Sequence, residues 1–302
     1  MKKFNLSVLF VSASLVFVGC NQSTESKPDV VVPEASSISA ETSTLEQVLQ
    51  AQPEEVIARY DSRHPKETLD FFGVKPGMTV MEGLPGGGWY TKILMPYLGN
   101  EGKIIGTDYA ADMFPLFGFF SDERLEAKKT WVATWTTEAQ SWRKEDSADV
   151  SAFQFGSMPE TMANSADAVV FIRALHNVAR FENKGEYMTK ALNDAFRVLK
   201  PGGLVGVVQH KAPESSTDEW ASGANGYLKQ TFVIAKMQEA GFEFVASSDI
   251  NNNPKDQPGA EDIVWRLPPS LSTSRDDPKL KEEMQAIGES NRMTLTFKKP
   301  MI

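Results

Sequence analysis

The chain has 302 residues, 41% hydrophobic and 24% charged, with a formal net charge of -9, so it can build one large or two small domains around a sizeable core. That acidity argues against a nucleic-acid partner, because phosphate-backbone binding draws its affinity from clustered Lys and Arg. A single cysteine excludes an intramolecular disulfide, a Cys-rich zinc site and an iron-sulfur cluster, and leaves His64, His176 and His210 as the imidazoles available for chemistry.

Residues 1–20, MKKFNLSVLFVSASLVFVGC, set two lysines before an apolar run and end on Gly19-Cys20, the layout of a signal peptide rather than of a fold element. The run from Leu6 to Val18 is about 13 residues, against about 20 for a bilayer-spanning helix. Phe17-Val18-Gly19-Cys20 resembles a bacterial lipoprotein lipobox, which implies cleavage after residue 19 and lipidation of Cys20, although Phe17 stands where the pattern usually has Leu. A plain secretory signal with an incidental cysteine is the alternative. Residues 20–44, rich in Ser, Thr, Glu and Pro and short of aromatics, read as a flexible tether. The expected location is therefore the bacterial cell envelope, as a periplasm-facing lipoprotein held to the membrane through Cys20. Asn21 is not the aspartate that often retains such lipoproteins at the inner membrane, which tilts the expectation toward the outer one.

From Leu45 to residue 302 the pattern alternates between helical and extended segments, as expected of an α/β domain with a largely parallel sheet. Helices are expected over 45–60 and 66–72, the second closed by Gly73, and together they form an N-terminal helical cap. A strand over 78–84 runs into Pro85-Gly86-Gly87-Gly88 and a helix over 89–98. Strands follow at 103–107, 150–155 and 168–173, then a helix over 186–199 ended by Lys200-Pro201-Gly202-Gly203, a strand over 204–209, a helix over 228–240, and strands over 243–248 and 292–298. Between the second and third strands the aromatic stretch Met113–Phe120, with Trp131, Trp135 and Trp142, reads as a helical pair packed on the sheet, or else as a lid or membrane-contacting surface.

A strand that ends in glycines and opens a helix lets a ligand approach the backbone and meet free N–H groups. The order of motifs adds to this: Glu82 to Gly88, Asp108 at the second strand end, Asp167-Ala-Val-Val-Phe-Ile-Arg-Ala-Leu-His176-Asn177, and Val198-Leu-Lys-Pro-Gly-Gly203 before a strand. This resembles a class I S-adenosylmethionine-dependent methyltransferase. More narrowly, Phe71-Phe-Gly-Val-Lys-Pro-Gly-Met78 continuing to Pro85-Gly-Gly-Gly-Trp-Tyr-Thr91 is similar to a family of secreted bacterial predicted methyltransferases, over roughly residues 54–300. The resemblance implies a Rossmann-like, doubly wound, seven-stranded and mostly parallel sheet with helices on both faces and a reversed last strand. It also implies S-adenosylmethionine as cofactor. Glu82 then matches the acid that begins the cofactor motif, Gly86 and Gly88 its second and third glycines with Gly87 between them, and Asp108 the acid that holds the ribose hydroxyls. Two positions depart from the pattern: Leu84 falls where the first glycine belongs, with Gly83 before it, and Gly156-Ser157-Met158 lacks the acid that often contacts adenine.

Ligands of open α/β sheets sit beyond the strand carboxyl ends, so His176 and His210, each just past a strand, are the candidate catalytic bases. The alternatives are a structural loop histidine and a solvated strand end. Arg173, in an otherwise apolar strand end, calls for an anion, either a ligand carboxylate or Glu82. Tyr60 and His64, in the polar segment Arg59–His64, and Trp265, in an insertion over 251–291, are candidate substrate contacts. No His-Glu-x-x-His or Gly-x-Ser-x-Gly pattern occurs, so neither a metal site nor triad hydrolysis is expected. The sequence thus points to methyl transfer onto a small-molecule or envelope substrate. Because an exported protein meets little of a cofactor made in the cytoplasm, a non-catalytic envelope binding or scaffold lipoprotein with the same fold is the alternative, and an enzyme for another envelope small molecule a third.

Overall fold

The computed structural model describes residues 44–301; the expected signal segment 1–19, Cys20 and residues 20–43 of the tether lie outside the described residues. Where one helix is expected over 45–60 there are two, α1 (Leu45–Gln50) and α2 (Glu54–Ile57), and a third, α3 (Tyr60–Arg63), begins where that span ends. Pro53, which has no N–H to donate, stands at the N-cap of α2. His64 takes a left-handed φ of 42°, ends α3 and leads into α4 (Pro65–Phe71), whose first residue needs no donor. Gly73 (φ 68°) closes α4, and the Val74 N–H reaches back to the Leu69 carbonyl at 3.1 Å, the Schellman hydrogen bond.

Past this cap come β1 (Thr79–Gly83), α5 (Thr91–Leu98), β2 (Lys103–Asp108), a 3-10 segment at Ala111–Phe117, α6 (Asp122–Lys128), α7 (Trp131–Trp142) and β3 (Asp149–Gln154). The second half holds β4 (Ala166–Ile172), α8 (Leu175–Ala179), α9 (Glu182–Gly185), α10 (Tyr187–Val198), β5 (Leu199–His210), α11 (Gln230–Glu239), β6 (Glu243–Ser248), α12 (Pro278–Ile287) and β7 (Arg292–Lys298). Pro96 inside α5 leaves the Lys92 carbonyl without its helical donor, and Gln52 from the cap supplies one at 3.4 Å. Among the described residues no helix is long and apolar enough to cross a membrane.

The strands form one seven-stranded sheet in the order β3-β2-β1-β4-β5-β7-β6. Strands β1 to β5 pair in parallel, whereas β7 is antiparallel to both its neighbours, giving the doubly wound sheet with a reversed last strand. Strand β7 does not lie at an edge. It fills the slot between β5 and β6, and six of its seven residues are buried.

Alternation along the strands divides the core into two layers. Met81, Val169, Phe171, Val205 and Leu295 pack with residues of α10 and α11, such as Leu192 and Val233. Val80, Ile104, Val150 and Val170 pack with the cap, α5 and α7, through Leu69, Ile93 and Trp135. In the aromatic stretch, α7 packs on the sheet: a Cβ at Gly106 of β2 would lie 2.4 Å from the Trp135 ring, so the glycine makes room for the indole. Helix α6 has no buried residue and does not share that packing. Strand order reverses between β1 and β4, and the crevice beyond their carboxyl ends is where such sheets bind ligands.

Candidate functional site

The site starts from the turn after β1. A Cβ on Gly83 would lie 2.5 Å from Cδ1 of Phe171 in β4, so glycine is required there by packing. Leu84 follows with a left-handed φ of 57°, at a conformational cost of about 1–2 kcal/mol, and its N–H donates to the Thr107 carbonyl at 2.7 Å. Gly86 (φ 55°) and Gly87 have nothing within 4 Å of a would-be Cβ, and both open onto a cleft. Gly88 does not. A Cβ there would meet the Trp142 ring at 2.4 Å, so this glycine is committed to packing and lines neither part of the cleft.

The cleft has two lobes that share Leu84, Gly86, Arg173 and Asn177. The first, about 420 Å³, is walled by Asp108, Tyr109, Lys128, Trp131 and Trp135. Asp108, at the end of β2, accepts the Tyr109 N–H through Oδ1 at 2.8 Å and pairs with Lys128 through Oδ2 at 3.0 Å. Burial raises its carboxyl, and the Lys128 ammonium opposes that shift.

The second lobe, about 600 Å³, brings His176, His210 and Trp265 together with Arg63, Trp89 and Lys92. The two imidazole rings are 5.3 Å apart, and the Trp265 ring is 6.0 Å from that of His176. Gln209 holds its amide nitrogen to the Gly226 carbonyl (3.0 Å) and turns its oxygen to both the backbone N–H and Nδ1 of His176, at 3.3 and 3.2 Å. That network assigns the proton of His176 to Nδ1 and leaves Nε2 as acceptor. His210 pairs through Nδ1 with the Ser290 hydroxyl at 2.5 Å. Burial pushes His176 down to about 4 and His210 well below its ordinary value, so both rings are neutral at pH 7.

Other expected residues sit apart. Glu82 is buried behind the turn, where its Oε2 accepts the Thr91 hydroxyl at 2.6 Å and ties the start of α5 to β1. Burial pushes its carboxyl up to about 7. Glu82 is therefore not the counter-ion of Arg173; that carboxylate belongs to Glu289, 3.9 Å away. Tyr60 and His64 line neither lobe. The Tyr60 hydroxyl donates to the Leu49 carbonyl at 2.9 Å with its ring edge-on to Trp89, and His64 forms the joint between α3 and α4. Within the polar segment Arg59–His64 the residue that reaches the cleft is Arg63, between them in sequence.

Sequence reasoning misses Gln209, Glu289 and Ser290. Because β7 runs antiparallel, its first residue Arg292 lies opposite His210 at the end of β5. The polar run Glu289-Ser290-Asn291-Arg292 is thereby delivered to the crevice, and the only sequence signal for it is polarity at the end of a long insertion.

Residues 83–207 match the family model described as a methyltransferase domain, the segment that carries the glycine turn, Asp108 and His176. Among solved structures, the chain is similar to a geranyl diphosphate C-methyltransferase from Streptomyces coelicolor, at 13% identity over 85% of this chain and 90% of that one, with a TM-score of 0.49. A SAM-dependent methyltransferase from Aquifex aeolicus is similar at 16% identity over 69% and 94% of the two chains, with a TM-score of 0.43. No curated protein matches the chain in sequence.

Proposed function

We propose that this protein is an S-adenosylmethionine-dependent methyltransferase acting on a small-molecule or envelope substrate. The observation that carries this reading is the two-lobed cleft at the β1/β4 switch point, with a carboxylate and aromatic walls in one lobe and two neutral imidazoles in the other. Its volume is in the range that small-molecule ligands occupy. Asp108 would hold the ribose hydroxyls, and the open backbone at Gly86 and Gly87 fits a ligand that approaches the turn closely. When bound, the cofactor supplies an electrophilic methyl group on a sulfonium. The residues of the chain then bind, orient and exclude water, which is the larger part of such catalysis. His176, too weak a base to be charged at neutral pH, would accept a hydrogen bond at Nε2 and aim the acceptor.

We further propose that Cys20 is lipidated and tethers the domain in the bacterial envelope, in keeping with the apolar run and the Gly19-Cys20 junction that precede the tether.

Calorimetric titration of the folded protein with S-adenosylmethionine and S-adenosylhomocysteine tests the first proposal, and absence of heat at millimolar ligand would overturn it. Asp108→Ala should weaken binding by about 1–3 kcal/mol through loss of charge-assisted hydrogen bonds. Unchanged affinity would place the ribose elsewhere. A second reading, a binding protein that keeps the cleft without turnover, draws on Leu84, which lines both lobes. Under it, Leu84→Gly tightens S-adenosylhomocysteine binding by clearing the cofactor's path, whereas equal affinities remove its support.

A further inference from the structure

Four arginines converge on one carboxylate beneath the second lobe. Buried Glu289 accepts from Arg59 (Nε, 2.7 Å), from Arg63 (Nε, 3.3 Å) and from Arg292, and lies 3.9 Å from Arg173. A positive excess in a largely buried cluster is costly unless an anion joins it. The excess is not closed from within, because the other acid that lines the lobe, Glu55, is exposed and pairs with none of the four arginines.

Two of the four arginines, Arg63 and Arg173, face the lobe. At 3.9 Å the Arg173 guanidinium is too far from Glu289 for a hydrogen bond, and it makes none among the described residues. Arg63 spends one long hydrogen bond on Glu289 and lies 4.6 Å over the Trp89 ring, which holds its plane in place. Burial lowers both guanidinium groups to about 10, so they remain charged at neutral pH. A positively charged fork with unused donors is a receptor for a planar or tetrahedral oxyanion.

We propose that the methyl acceptor is a small molecule bearing a carboxylate or phosphate group, which docks between Arg63 and Arg173 in the second lobe. This rests on the methyltransferase reading for the word acceptor, but the anion site does not. Arg63 lines the second lobe alone, so the oxyanion lies to the side of the cleft away from Asp108. Trp265 and Trp89 offer the rest of the molecule two aromatic walls, and His176 stands beside it as a hydrogen-bond acceptor, with His210 lining the same lobe.

The test is calorimetric titration of the full chain with inorganic phosphate and with malonate, each with and without saturating S-adenosylhomocysteine. One saturable anion site is expected, with its Kd unchanged by S-adenosylhomocysteine to within about threefold. Arg63→Gln and Arg173→Gln should each weaken the anion about tenfold or more, as loss of a charged hydrogen bond does, while Arg63→Gln leaves S-adenosylhomocysteine affinity in place. If Arg63→Gln does not fold, Arg173→Gln, whose guanidinium holds no hydrogen bond, carries the comparison. The tighter of the two anions assigns the group as phosphate or carboxylate. Mutual exclusion between anion and S-adenosylhomocysteine overturns the proposal, since the arginines would then hold the cofactor's own carboxylate, and so does the absence of saturable anion binding. Arginine-dependent anion binding in a protein that ignores S-adenosylhomocysteine refutes the methyltransferase reading and keeps the anion site.

Discussion

Glu82 and His176 are both buried and respond to pH in opposite senses. The Glu82 carboxyl, near 7 in the fold against 4.5 unfolded, holds its proton more tightly when folded. Its contribution to stability is full below pH 4.5 and is lost as pH rises through about 7. His176, near 4 against 6.5, contributes in full above pH 6.5 and loses stability as pH falls through about 4. Glu82→Gln keeps an acceptor for the Thr91 hydroxyl and cannot ionise. Between roughly pH 5 and pH 8 the wild type should therefore lose up to about 3 kcal/mol that the variant retains. Thermal melts across that range check it, and parallel melting curves for the two proteins would contradict it. At this scale the residues that carry chemistry by type, His176, His210 and Asp108, are legible in the sequence. Their ionisation is not, because it depends on burial and on distant partners such as Gln209 and Ser290.

Among elements, the junction of β1 with β4 shows how a local departure from a pattern can be a packing decision. Gly83 stands against the Phe171 ring, and the left-handed turn residue is displaced to Leu84. Gly83→Ala should cost about 1–3 kcal/mol by overpacking. Phe171→Leu in the same background should recover part of that loss, because the two sites are in contact. Denaturant unfolding of the single and double variants checks the pair, and strictly additive losses would show that the contact is not the cause. Strand positions were legible to within one or two residues in Glu243–Ser248 and Arg292–Lys298, whereas β5 starts at Leu199, five residues before the expected strand, and takes in Lys200–Gly203. The cap was less so. Of the breaks between its four short helices, Pro53 sets the one between α1 and α2, and the left-handed His64 the one between α3 and α4.

For the whole molecule, the proposed lipidation of Cys20 has the largest consequence for where the chemistry would occur. If Cys20 carries the anchor, Cys20→Ser moves the protein from the membrane pellet to the soluble fraction on cell fractionation, while purified wild type and variant bind S-adenosylhomocysteine alike. A variant that stays in the pellet would exclude acylation of that residue as the anchor.

The sequence by itself determined the alternating α/β pattern, the glycine turn, the acid at the end of β2 and the histidines just past β4 and at the end of β5, since each depends on residues close together in the chain. Only the tertiary structure decided what surrounds them. The reversed β7 carries Glu289 and Ser290 to the end of β5, and the cap brings Arg59 and Arg63 to the same carboxylate across some 230 residues of sequence. Those contacts join segments that share no local periodicity, so the charge they place beneath the second lobe follows from strand order and packing.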